Sequence, residues 1–123
     1  MTIILPFRTV VLESPYKATE SHSVEQHQVY LVHCLSDARS RWEEPYASHE
    51  GLTGDDDDDL ARQIGIRRGW AIGDKLDACV VYSDFGITPG MSQSIAHYEQ
   101  LGKPIEWRKL PAPLVKSILE MAG

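Results

Sequence analysis

Only two cysteines, Cys34 and Cys79, occur in the 123 residues. With no others to complete a four-ligand sulfur cage, a thiolate metal centre is not expected, and buried reduced thiols acting as small hydrophobes are the default. No stretch approaches the roughly 20 apolar residues that cross a bilayer, and the amino terminus lacks the basic-then-apolar order of a signal peptide. The expected location is cytoplasmic, with no membrane partner. Cations are also scarce: 12 lysines and arginines stand against 18 aspartates and glutamates, a net charge of -6. That balance argues against a nucleic-acid partner or an anionic membrane surface. No internal repeat is present, and the length suits one domain, residues 1–123, around a single core.

What is there is concentrated between Asp77 and Trp107. Ala78 to Tyr82 is a continuous apolar run rich in valine, as in a parallel strand covered on both faces. Asp84-Phe85-Gly86-Ile87-Thr88-Pro89-Gly90 follows, a sharp turn whose two glycines let backbone approach a ligand closely. From Met91 to Leu101 the apolar residues Met91, Ile95, Tyr98 and Leu101 recur at helical spacing, and Gly102 with Pro104 ends the helix. Ile105 to Lys109 then begins another strand, so the stretch reads as one right-handed crossover unit.

The rest of the chain repeats this alternation. Thr9 to Leu12 predicts a first strand that delivers the turn Glu13-Ser14-Pro15-Tyr16, with Thr2 to Leu5 a preceding extended arm. Ser23 can cap a long helix to Trp42, with Val24, Gln28, Leu31, Leu35, Ala38 and Trp42 on its apolar face and Pro45 as its stop. Tyr46-Ala47-Ser48-His49 reads as the end of a short second strand. Leu60, Ile64, Trp70 and Ile72 suggest a helix weakened by Gly65 and Gly69 at about 1 kcal/mol each. Pro111 and Pro113 open a last amphipathic helix through Leu114, Ile118 and Leu119. The expected fold is α/β: a three-layer, doubly wound open parallel sheet of the flavodoxin or Rossmann type, with four strands in the order 2-1-3-4.

In such a sheet ligands bind beyond the carboxyl ends of the strands where the order reverses, here between strands one and three. Three turns should converge there: Ser14-Pro15-Tyr16, Ser48-His49, and Asp84 through Met91. His49 could bind phosphate or a base edge or donate a proton, or be a loop histidine bonded to backbone. Tyr16 could stack on a nucleobase or pack on its own helix. Thr88 and the N–H groups of Gly90 and Met91 could hold a phosphate at a helix amino end, or simply make a tight connection. Glu13 lies nearest a site turn among Glu13, Glu44, Glu99 and Glu106, and is either a base or a solvated strand end. Asp55 to Asp59 reads as a solvated acidic loop that favours the following helix rather than a cation site. Trp42, Trp70 and Trp107 read as core or interface anchors.

At Leu12-Glu13-Ser14-Pro15-Tyr16, Pro45-Tyr46-Ala47-Ser48-His49, Asp77-Ala78-Cys79-Val80-Val81, Asp84 to Met91 and Leu101-Gly102-Lys103-Pro104-Ile105, the chain resembles the nucleoside 2-deoxyribosyltransferase superfamily. The likeness is closest to a short phage and bacterial branch and covers about Val10 to Leu110. It implies a nucleoside or nucleotide ligand, N-glycosidase or transferase chemistry, and frequent homo-oligomers; no cofactor or metal is expected, and a phage-encoded member would work in the host cytoplasm. The superfamily pattern also places a glutamate nucleophile where this chain has Ser94 and an aspartate where it has Gly69, while Asp84 matches the aspartate of the glycine turn. Ser94 with His97 three residues on would be a conceivable substitute pair. Candidate catalytic residues are therefore Asp84, His49 and Glu13. Candidate ligand-binding residues are Ser14, Tyr16, Ser48, Gly86, Thr88, Gly90, Met91 and Ser94. Two functions stay open: a nucleoside-acting enzyme, or a binding protein that senses or sequesters a nucleotide without cleaving it.

Overall fold

The computed structural model describes residues 7–16, 19–47 and 59–121. Within them the chain runs β1 (Arg8–Glu13), α1 (Val24–Ser40), β2 (Glu43–Tyr46), α2 (Asp59–Gly73), β3 (Ala78–Tyr82), α3 (Pro89–Gln100), β4 (Ile105–Arg108) and α4 (Ala112–Leu119). All strand pairings are parallel, and the sheet order is β2-β1-β3-β4, as the alternation of elements implied. The register sets Val10 opposite Ala78 and Glu13 opposite Val81, so β1 and β3 end side by side.

Two apolar layers cover the sheet. Val10, Leu12, Ala78, Val80 and Tyr82 face α1 and α4, while Val11, Cys79 and Val81 face Met91, Ile95 and Tyr98 of α3. A side chain alternates faces along a strand, so the fully buried β3 run needs apolar residues at every position. Complete burial of each such side chain contributes about 1.5–3 kcal/mol. Both cysteines are free and buried, and burial pushes both thiols up from their ordinary range.

Local chemistry explains the helix ends. Ser23 accepts a hydrogen bond from the Gln26 N–H while the Gln26 side chain accepts from the Ser23 N–H, a reciprocal capping box. Thr88 caps α3 through the Met91 N–H, and Pro89 occupies the first turn, so α3 starts two residues earlier than its apolar spacing suggested.

Several details differ from the sequence reading. α1 ends at Ser40, and the reversal is made by Trp42, which takes a positive φ of 62°. Pro45 lies inside β2; this is an edge strand, where a missing N–H is tolerated. β2 stops at Tyr46, and Ser48, His49, the arm Thr2 to Leu5 and Asp55 to Asp58 fall outside the described residues. The buried face of α1 includes Gln26, His27, Tyr30 and Cys34, whereas Gln28 is exposed. Trp42 and Trp107 are exposed rather than core residues.

A buried ionic network ties distant parts of the sheet. Arg108 donates to both carboxylate oxygens of Glu43 at 2.7 Å, and Arg8 bridges Glu43 and Glu106 at 2.8 and 2.6 Å. Glu43 starts an edge strand and Arg108 ends the opposite edge strand, and sheet twist bends such diagonal corners towards one face. Burial pushes the Glu43 carboxyl up, but hydrogen bonds from Arg108 and Arg8 outweigh it and hold Glu43 below its ordinary range.

Candidate functional site

The strand order reverses between β1 and β3, and there α1 and α3 leave on opposite faces. The two loops that part are Ser14 onward and Ser83 to Thr88. Gly86 in the second loop has φ 88°, a backbone state that favours glycine. A Cβ added at Gly86 or Gly90 would meet nothing within 4 Å. Both positions therefore face open space.

The end of β1 holds the least expected group. Glu13, the last residue of β1, is only 8% exposed and faces the α3 layer, in step with Val11 and opposite Val81. No hydrogen bond or ion pair holds its carboxyl among the described residues. Desolvation therefore acts unopposed and raises its pKa from 4.5 to about 8. Burial first, and the neighbouring Glu13 charge second, push Cys79 and Tyr98 up, which places Glu13 beside both. The solvated strand end that the sequence allowed is not what forms. At neutral pH a carboxyl in this state keeps its proton, and the chemistry open to it is donation of that proton.

Asp84 follows β3 beside that reversal but is committed to the frame. Its Oδ2 accepts from the Tyr30 hydroxyl at 2.6 Å and the Leu110 N–H at 3.0 Å, and its own N–H donates to Tyr30 at 3.0 Å. Phe85 packs on Tyr30 at 4.4 Å and stacks on His22 at 4.3 Å, which fixes the turn from its other side. This lock was missed in the sequence because Tyr30 and Asp84 are 54 positions apart and no periodicity links them.

The remaining candidates divide. Ser14 is buried and Tyr16 half-buried in the loop after β1. Thr88 Oγ1 accepts from the Met91 N–H, so that N–H is not available to a phosphate in this arrangement. Met91 itself is buried under α3 as part of the core. Ser48 and His49 lie outside the described residues, and Tyr46 is where the structure brings β2 towards the same layer.

Ser94 faces inward from α3, and its Oγ accepts from the Trp70 indole N–H at 3.0 Å. His97 stacks on the same indole at 3.8 Å with rings 3° from parallel, and its Nε2 lies 2.7 Å from Asp74. Both side chains therefore fasten α2 to α3. The Ser94 and His97 pair does not form a nucleophile with its base.

An open depression of about 330 Å³ lies at the amino end of α1, lined by Thr19, Glu20, His22, Ser23, Gln26 and Met121. None of the candidate site residues among those described lines it. Among the described residues no group of three or more His, Cys, Asp or Glu could hold a metal ion. No described helix is long and apolar enough to cross a membrane.

The fold is that of a Rossmann-like α/β protein whose strand order reverses between β1 and β3, with a buried carboxyl, Glu13, at the end of β1 beside that reversal. The chain belongs to the family described as a domain of unknown function (DUF7768), whose model matches residues 8–108. The match runs from the first residue of β1 to the last of β4 and leaves α4 outside. No curated protein and no solved structure matches the chain.

Proposed function

We propose that the protein binds a nucleoside or nucleotide in the crevice between β1 and β3, and that Glu13 donates a proton to the departing base when the N-glycosidic bond is cleaved. The observation that carries this reading is the lone, desolvated Glu13 carboxyl at the place where open α/β sheets take their ligands. The resemblance to nucleoside 2-deoxyribosyltransferases, through Asp84 and the glycine turn, supplies the ligand class.

The chemistry follows from the protonation state. As the C–N bond breaks, its electron pair goes to the base nitrogen, and a proton from Glu13 neutralises the leaving group. Water then adds to the oxocarbenium-like sugar carbon, and a proton lost from that water restores Glu13. No covalent sugar ester is formed, because Ser94 replaces the expected nucleophile and is bonded to Trp70.

A second reading rests on that same Ser94. With its hydroxyl occupied and Asp84 engaged by Tyr30 and Leu110, the pocket can hold a nucleotide without cleaving it. Incubation with a panel of deoxynucleosides and deoxynucleotides, followed by chromatography, separates the two. Free base that disappears in Glu13→Gln supports cleavage. Tight binding without release supports the non-catalytic reading, and no thermal shift with any member of the panel overturns both.

A further inference from the structure

We propose that the outer edge of β4 is a docking site for an extended acidic segment of a partner protein, which adds to the sheet as a further strand. β4 ends the sheet on one side, as β2 does on the other. In a parallel ladder the N–H and C=O of one residue point the same way, and successive residues alternate between the two neighbours. The Cys79 N–H donates to the Pro104 carbonyl and the Ser83 N–H to the Arg108 carbonyl, so Pro104, Glu106 and Arg108 face β3. Ile105 and Trp107 therefore turn their N–H and C=O groups outward. Among the described residues no backbone group bonds to them there.

The two edges of the sheet are not alike. On β2 the same alternation, read from the Arg8 N–H donating to the Trp42 carbonyl, turns Glu43 and Pro45 outward. Pro45 has no N–H to offer a further strand, so that edge is blunted. β4 has no proline at an outward position. It carries Trp107 instead, 57% exposed and on the α3 side of the sheet, two residues on from Ile105, which packs against that layer. A free ladder beside an exposed tryptophan is the equipment of strand addition: the backbone supplies the bonds and the ring supplies the anchor.

Charge identifies the occupant. Residues 103–109 hold Lys103, Arg108 and Lys109 against the single carboxylate of Glu106, in a chain of net charge -6. Glu106 is paired with Arg8 at 2.6 Å and Arg108 at 3.1 Å, and Arg108 with Glu43 at 2.7 Å. The two lysines that bracket β4 remain. Lys109 is exposed, and Lys103 donates to the backbone carbonyls of Asp74 and Leu76, which carry no formal charge. A second copy of the chain is a poor occupant: pairing two β4 strands antiparallel about Glu106 would set Lys103 of each opposite Lys109 of its mate, and like charges directly opposite are destabilising. An extended segment with apolar side chains at alternate positions and a carboxylate beyond them matches both the tryptophan and the lysines.

Selection of random displayed peptides against the full chain tests the proposal. Enriched sequences should place apolar residues at alternate positions and carry Asp or Glu beyond them. A synthetic copy of the most enriched peptide should move the amide resonances of Ile105 and Trp107 in the labelled protein. N-methylation of every second amide of that peptide should abolish binding when the methyls face β4 and leave it intact in the other phase. Trp107→Thr should weaken binding at least about tenfold. Lys109→Glu, which alters only an exposed side chain, should weaken it about threefold or more and should favour a peptide with lysine in place of its carboxylates. Failure to enrich any peptide overturns the proposal, as do shifts confined to other surfaces, tolerance of both methylation phases, or unchanged affinity in Lys109→Glu. Wild-type chain that self-associates through Ile105 and Trp107 gives the edge to a second copy and equally overturns it.

Discussion

Replacing Glu13 by glutamine removes a titrating group while keeping the shape of the side chain, and the structure fixes the consequence. A carboxyl whose pKa is 4.5 in the unfolded chain and about 8 when folded holds more protons in the folded state over that interval. Its contribution to stability is full below pH 4.5 and is lost as pH rises through about 8. At 1.36 kcal/mol per pKa unit, the total loss is about 4–5 kcal/mol, of which about 3 kcal/mol falls between pH 6 and pH 9. Urea unfolding of both proteins at about pH 6 and about pH 9 reads this directly. Wild type should lose about 3 kcal/mol more than Glu13→Gln over the interval. Any constant penalty of the buried amide cancels in the comparison, and titration of the buried thiols is common to both proteins. Equal losses in the two proteins, or a larger loss in the variant, would refute the reasoning and with it the proton-donor role.

Three further outcomes are expected. Gly73→Ala places a Cβ 2.1 Å from the Tyr98 hydroxyl oxygen, which should cost about 1–3 kcal/mol by urea unfolding. Adding Tyr98→Phe should recover part of that loss, since the closest clash is with the hydroxyl. Arg108→Ala leaves Glu43 buried without its bidentate partner and should destabilise by about 3–5 kcal/mol, whereas replacing both with methionine and leucine should cost clearly less. Asp84→Ala removes the acceptor for the Tyr30 hydroxyl and the Leu110 N–H, and should cost about 2–3 kcal/mol while raising hydrogen exchange at Leu110.

The sheet was legible because its signals are local. A continuous apolar run at Ala78 to Tyr82, a glycine turn and a helix of fixed spacing name their elements without reference to anything distant. Topology followed from alternation and from the handedness of crossovers. What the sequence did not disclose depends on partners far along the chain. Glu13 looks like any acidic strand end until α3 covers it. Ser94 looks like a replaced nucleophile until Trp70 is seen donating to it. The Glu43 and Arg108 contact joins residues 65 positions apart on opposite edge strands of the sheet. Trp42 gave no warning of a positive φ, since the residue that usually makes such a turn is glycine. Pro45 misled for a related reason: proline stops helices far more often than it enters strands, and only the edge position of β2 admits it.

The central claim is that a nucleoside-like ligand occupies the crevice between β1 and β3. Titration of the isotopically labelled protein with a panel of nucleosides and nucleotides, followed by amide chemical shifts, tests it most directly. The account predicts that the amides of Glu13, Ser14, Gly86, Thr88 and Gly90 move together along one saturating curve. Saturating shifts confined to other surfaces, or no shift with any member of the panel, would contradict it.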